Sequence, residues 1–148
     1  MKKLDVLNMK SAGMLAITAN DLDTAHAYKV IKFKKALKAE AESVTEADNA
    51  FLEEVGIKDA EAFDKERNEL RKSGENPERL AEMDKQMERL VGLRKVLYEE
   101  EAKLEGVKAL PFDQFHELQR ENKNLPHRPL NVFEEQLEGI LWTAPDEE

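Results

Sequence analysis

The chain contains no cysteine, which excludes disulfides and thiolate metal centres and leaves the redox compartment open. Aromatic residues are scarce, at 6%, and that predicts a narrow core lined mainly by aliphatic side chains. Long apolar runs are missing too. No stretch approaches the roughly 20 apolar residues that a membrane-crossing helix needs. The opening residues Met1 to Asn8 carry Lys2 and Lys3 but meet Asp5 and Asn8 before an apolar run of signal-peptide length develops. These absences lead to the expectation of a soluble, cytoplasmic protein with no membrane partner.

What the sequence has in excess is charge. Charged residues make up 37% of its 148 residues and the formal net charge is −9, a composition suited to long, exposed helices. A net negative charge works against general binding to polyanions, which requires clustered cations, although a local basic face stays open. The length predicts one domain.

Helical periodicity dominates the order along the chain. A short helix is expected to start near Asn8 or Met9 and to take in Met14, Leu15 and Ile17, weakened by Gly13. A second helix, capped by Asn20 or Asp21, is expected to run to Val55 and to end at Gly56. Within it Val30, Leu37, Val44 and Phe51 recur every seven residues, with Phe33, Ala41, Ala47 and Val55 on the neighbouring edge. Ser43 and Thr45, each followed three residues later by an acid, mark a candidate break. Asp59 is a cap for a third helix that expires at Ser73 and Gly74.

Asn76 followed by Pro77 opens the fourth helix, since a proline at the first position loses nothing by lacking an amide hydrogen. Met83, Leu90, Leu97 and Leu104 keep a strict seven-residue repeat, with Leu80 and Met87 beside them, and Gly106 is the expected end. Arg94 and Glu101 interrupt the companion row. The two long stripes predict an all-α fold: a long antiparallel, coiled-coil-like helical hairpin over residues 1–106, with short flanking helices and residues 107–148 packing on it.

After Gly106, Val107 to Leu110 reads as extended, Pro111 to Lys123 as a helix, Leu125 to Pro129 as extended, and Asn131 with Glu134 as a capping box for a last helix through Phe133, Leu137, Ile140, Leu141 and Trp142. Two readings of this aromatic-rich end stand side by side. It packs over the hairpin, or Phe133, Leu137 and Trp142 form a partner-binding surface behind a proline linker.

Chemistry-bearing residues occur only in fragments. Asp23 with His26, and Asp113 with His116, have the i, i+3 spacing that sets carboxylate and imidazole on one helix face, as in di-iron bundles; both acids also suit a first helical turn. Glu53, Glu54, Glu61 and Asp64 look like pieces of the magnesium-binding motif of the all-α nucleotide pyrophosphatases, with Ile57 standing where the third acid belongs. Lys29, Lys32, Lys34, Lys35 and Lys38 form a basic run interleaved with Tyr28 and Phe33. Helical spacing puts them in two rows flanking Val30, Phe33 and Leu37, which favours lysine stems packed beside a buried stripe over a nucleic-acid surface. His127 lies between two prolines with no nucleophile or acid nearby. There is no Gly-x-Ser-x-Gly elbow and no glycine-rich phosphate loop. No catalytic, cofactor-binding or metal-binding residue is assigned.

Ala27 Tyr28 Lys29 Val30 Ile31, leading through Leu37 Lys38 Ala39 Glu40 into an acidic helix, and the later Val107 Lys108 Ala109 Leu110 before closing helices, give an order of features that resembles a family of small proteins of unknown function from tailed bacteriophages and prophages. The resemblance implies a phage-encoded accessory or assembly protein in a bacterial host and carries over no catalytic residue. The function expected is therefore that of a non-enzymatic helical interaction protein whose partner is another protein or a second copy. The homodimer rests on Arg94 and Glu101, seam charges that a second copy is expected to satisfy. The alternatives are a metal-dependent all-α hydrolase or oxidase, and a weak nucleic-acid binder acting through Lys29–Lys38.

Overall fold

A computed structural model describes residues 1–145. The order is α1 (Lys3–Ser11), a short 3-10 turn (Met14–Ala16), α2 (Thr24–Glu54), α3 (Ala60–Ser73), α4 (Pro77–Glu99), β1 (Leu110–Pro111), α5 (Phe112–Glu121), α6 (Pro129–Val132), α7 (Glu134–Leu137) and β2 (Trp142–Thr143). The fold is all-α with one parallel two-residue strand pair, β1 beside β2. No helix of the described residues is long and apolar enough to cross a membrane. The chain divides into two compact units, one formed by residues 1–43 with 100–148 and the other by residues 44–99. The expected boundary at Gly106 falls inside the first unit.

In the first unit α2 lends its buried face, Val30, Phe33, Leu37 and Ala41, to a core completed by Val6, Met9, Met14, Ile17, Phe115, Leu118, Leu130, Leu137 and Leu141. The opening helix starts at Lys3, earlier than the periodicity suggests, because the Asp5 carboxylate accepts the Lys2 amide at 2.9 Å and satisfies a free first-turn donor. Gly13, at φ +89, ends this helix instead of lying within it.

α2 starts at Thr24, capped by Asp23, whose Oδ1 accepts the His26 amide at 2.9 Å. Asn20 and Asp21, the expected caps, instead donate their own amides to the Glu121 carboxylate at 2.8 and 2.6 Å. That carboxylate also takes the Thr18 hydroxyl at 2.5 Å, and the Asn122 side chain bonds both the amide and the carbonyl of Thr18 at 2.8 Å. The end of α5 thus holds the whole 18–21 turn. Burial pushes the Glu121 pKa up, but the Thr18 hydroxyl and the Asp21 and Asn20 amides together hold it below its ordinary value of 4.5.

In the second unit Val55, Ile57, Phe63, Met83 and Leu90 form the core, with Phe51, Leu70, Met87 and Leu93 packed against it. The last part of α2 and α4 lie antiparallel. The Arg94 guanidinium reaches Asp48 at 2.5 and 3.0 Å, and about two turns further on, just past the end of α2, the Val55 carbonyl accepts the Gln86 side-chain amide at 2.9 Å. The expected hairpin is therefore present over residues 44–99. Ser43 and Thr45 do not break α2, though the two units part between Ser43 and Val44. α3 returns against α4 through Arg67 and Arg71, which both pair with Asp84, at 2.8 and 3.3 Å. The local signals at Asp59, Gly74 and Asn76 act as expected: Asp59 accepts the Ala62 amide, Gly74 adopts φ +69, and Asn76 accepts the Arg79 amide.

α4 ends at Glu99, short of the expected Gly106. Beyond it the backbone finds other partners: Lys3 donates to the Glu100 carbonyl at 2.9 Å and Ala102 donates to the Met1 carbonyl at 2.9 Å. Leu104, the last member of the seven-residue repeat, packs against the first unit's core. The chain then turns at Glu105 and Gly106, where Gly106 adopts φ +73, and reaches β1 at Leu110.

The closing region differs from the expected single helix. The residues after α5 turn tightly, with His127 at φ +66 and Arg128 at φ +39, instead of extending. The Glu134 side chain accepts from Gln119 at 3.0 Å, so it does not complete a capping box with Asn131, and the helix breaks into the single turns α6 and α7.

Candidate interaction surface on helix α2

The first half of α2, residues 24–39, holds five lysines and no acid. Its buried stripe fixes where they point. Lys34 lies beside Phe33 and donates to the Ile17 carbonyl at 2.7 Å, while Lys29 donates to the Ala109 carbonyl at 3.3 Å. These two cations are used in holding the unit together, which is the flanking role their spacing suggests. Lys32, Lys35 and Lys38 remain exposed.

The segment leading to β1 runs antiparallel along this helix. Its ends are fixed by the Lys103 amide, which donates to the carboxylate of buried Glu40, and by the Lys29 bond to Ala109. Between helix and segment lies a groove of about 460 Å³ bordered by Lys32, Lys35 and Lys103, with Ala36 and Ala39 as its apolar wall and Glu105 as an acid on its rim. A second hollow continues past Lys32 to Tyr28, Gly106 and Lys108. Five lysines from two separate stretches of sequence, Lys29 among them, thus border one surface.

Beside it stand two large apolar side chains, Tyr28 at 58% and Ile31 at 59% exposed, about one helical turn apart. The Lys32 ammonium sits 5.6 Å from the centre of the Tyr28 ring, a cation–π distance that holds the ring against the basic edge. A surface of this composition offers apolar contact flanked by positive charge. No protein-family model, curated protein or solved structure matches this chain. The reading of the surface rests on its own chemistry.

The other sequence candidates occupy different places. Leu137 is fully buried in the first unit's core, and Phe133 and Trp142 are partly buried against it. The Trp142 ring stacks on Phe115 at 5.7 Å and its indole donates to the Glu134 carbonyl at 2.8 Å. Packing takes up Leu137 whole and most of Phe133 and Trp142, because β2 folds Trp142 back on α5 beside β1, so the three do not stand out as one open patch.

His26 accompanies Asp23 at 2.9 Å, and the His26 amide is the main cause of the lowered Asp23 pKa. His116 instead makes an edge contact with the Phe112 ring at 4.4 Å. Glu53, Glu54, Glu61 and Asp64 are exposed. Among the described residues no group of three or more His, Asp or Glu is placed to hold a metal ion.

Arg94 and Glu101 are both satisfied within the chain. Arg94 pairs with Asp48, which raises its pKa, and Glu101 pairs with the Met1 amino group at 3.2 Å. The charge argument for a second copy at these positions therefore falls away.

Proposed function

We propose that this chain is a non-enzymatic helical interaction protein, and that the outer face of α2 is where a protein partner docks. The observation that carries the reading is the pair Tyr28 and Ile31, exposed side by side next to the lysine-bordered groove. Aromatic and branched apolar side chains surrounded by charge are the usual anchors of a docking surface. The partner segment that complements it is an amphipathic one with acids beside its apolar positions, which meet Lys32, Lys35 and Lys103. Nucleic acid fits less well. Two of the five α2 lysines are bonded to carbonyls, Glu105 lies on the groove's rim, and the chain as a whole carries −9. The resemblance to small tailed-phage and prophage proteins supports an accessory or assembly role in the cytoplasm of a bacterial host.

The test is site-specific photocrosslinking in the cell that makes the protein. A photoreactive side chain at position 31 is expected to trap one discrete protein adduct, and Lys32→Glu with Lys35→Glu is expected to abolish it. A control at Lys65, exposed on α3, is expected to trap nothing comparable. Equal trapping at both positions, trapping of nucleic acid, or no adduct at position 31 contradicts the reading.

A further inference from the structure

We propose that a second interaction surface, on the outer face of α4, pairs with the same face of a second copy, the two helices running antiparallel and crossing at Gly92. This face is separate from the α2 groove and independent of its reading.

Lys85, Glu88, Gly92, Lys95 and Glu99 fall at helical spacing on one side of α4 and are all exposed. None of the four charged members makes an ion pair among the described residues, although other charges of this unit do. Beside them Val96 is 69% and Val91 55% exposed. A Cβ added to Gly92 meets nothing within 4 Å, so the middle of the face is open and bare of side chain, where another helix can approach closely. Glycine in a helix interior weakens the helix, and close approach is what it permits in return.

The occupant follows from the order of charges. Taken from Gly92, the face reads positive seven residues before, negative four before, positive three after and negative seven after. An antiparallel copy with its Gly92 opposite this one sets Lys85 against Glu99 of that copy and Glu88 beside its Lys95, and twofold symmetry repeats both pairs. Sliding by one turn in either direction sets Lys85 against Lys95 or Glu88 against Glu99. A parallel copy sets every charge against its like. One register of one arrangement therefore satisfies all four charges, and the surface is complementary to itself, as a twofold contact requires. A uniformly acidic or basic partner meets two like charges. The contact is small and rimmed by charge, so association in the micromolar range is expected, weakening with salt.

Sedimentation equilibrium on the full chain tests this with two charge variants, Lys85→Glu with Lys95→Glu, and Glu88→Lys with Glu99→Lys. All four positions are exposed, and circular dichroism checks that both variants keep the helical content of the wild type. The wild type is expected to rise with concentration from 17.0 kDa toward twice that mass. Each variant alone is expected to associate at least tenfold more weakly, and an equimolar mixture to recover association. A wild type that stays monomeric to millimolar concentration overturns the proposal, as do variants that dimerise like the wild type or a mixture that recovers nothing. Each of these results leaves the crosslinking test at position 31 unaffected.

Discussion

The two units of this chain solve the same problem with unequal means. Among the described residues the core of residues 1–43 and 100–148 contains fifteen buried side chains, against five in the core of residues 44–99. The first unit adds polar ties from two buried side chains, the Glu40 carboxylate on the Lys103 amide and Asn122 on the 18–21 turn, with the half-buried Glu121 beside them. The second relies on ion pairs between helices, at Arg94 and Asp48, Arg67 and Asp84, and Arg79 and Glu66. Paired charges at partly exposed sites stabilise less than buried apolar area of the same extent. The first unit is thus the stable platform and the second the softer one, although α2 contributes to both.

The largest effect expected on this contrast comes from Phe33, fully buried in the first unit. Phe33→Ala is predicted to cost about 3–5 kcal/mol, read from urea unfolding. It is expected to lower the protection of α1 and α5 as well as α2, because all three share that core. A loss confined to α2 breaks the picture of one shared core.

Next is Arg94→Ala, which strips Asp48 of a two-bond partner. The predicted cost is about 2 kcal/mol, expressed as faster exchange in α4 with α5 unchanged. Adding Asp48→Ala is expected to return part of it, because an unpaired, half-buried carboxylate is worse than none. No return on the double variant means that Arg94 acts through the packing of its stem.

A smaller, pH-dependent effect is predicted at Glu121. Its pKa in the folded chain lies below 4.5, so its contribution is complete above about that pH and disappears as pH falls through the folded value. Glu121→Gln is expected to cost about 1 kcal/mol at neutral pH and to flatten the stability profile between neutral and acid conditions, measured by urea unfolding at a series of pH values. Asp84, lowered by its bond to Arg67, works in the same direction in the second unit. The smallest effects belong to the outward faces. Ile31→Ala and Val96→Ala are each expected to change stability by less than about 0.5 kcal/mol, since both are mostly exposed.

The sequence reveals these units unevenly, and the reason is the range of the interactions. Asp59, Gly74 and the Asn76–Pro77 pair cap and stop helices through bonds to residues within a few positions, so their roles are readable locally. The buried stripe of α2 is readable from its period. The end of α4 is not, because the groups that compete for the chain at Glu100 and Ala102 belong to Lys3 and Met1, about a hundred positions away. For the same reason Leu104 keeps the heptad spacing yet packs in the other core.

Trp142, legible as an apolar residue of a last helix, is instead paired with Leu110 through a two-residue strand that no periodicity announces. The candidate surface was half readable. The α2 lysines stand in the sequence as a run, while Lys103 and Lys108 join them only through the return of the chain along α2. An exposed Tyr28 and Ile31 follow from the helix phase once Val30, Phe33 and Leu37 are known to face inward.

The claim that the chain holds two units of unequal stability is tested most directly by native-state hydrogen exchange of the full chain in rising, sub-denaturing urea, resolved by peptide mass. Amides of α3 and α4 are expected to exchange through an opening of lower free energy than those of residues 30–41 and 115–118, and that opening is expected to expose residues 44–99 together. A single opening free energy shared by α4 and α5, or slower exchange in α4 than at residues 30–41, contradicts it.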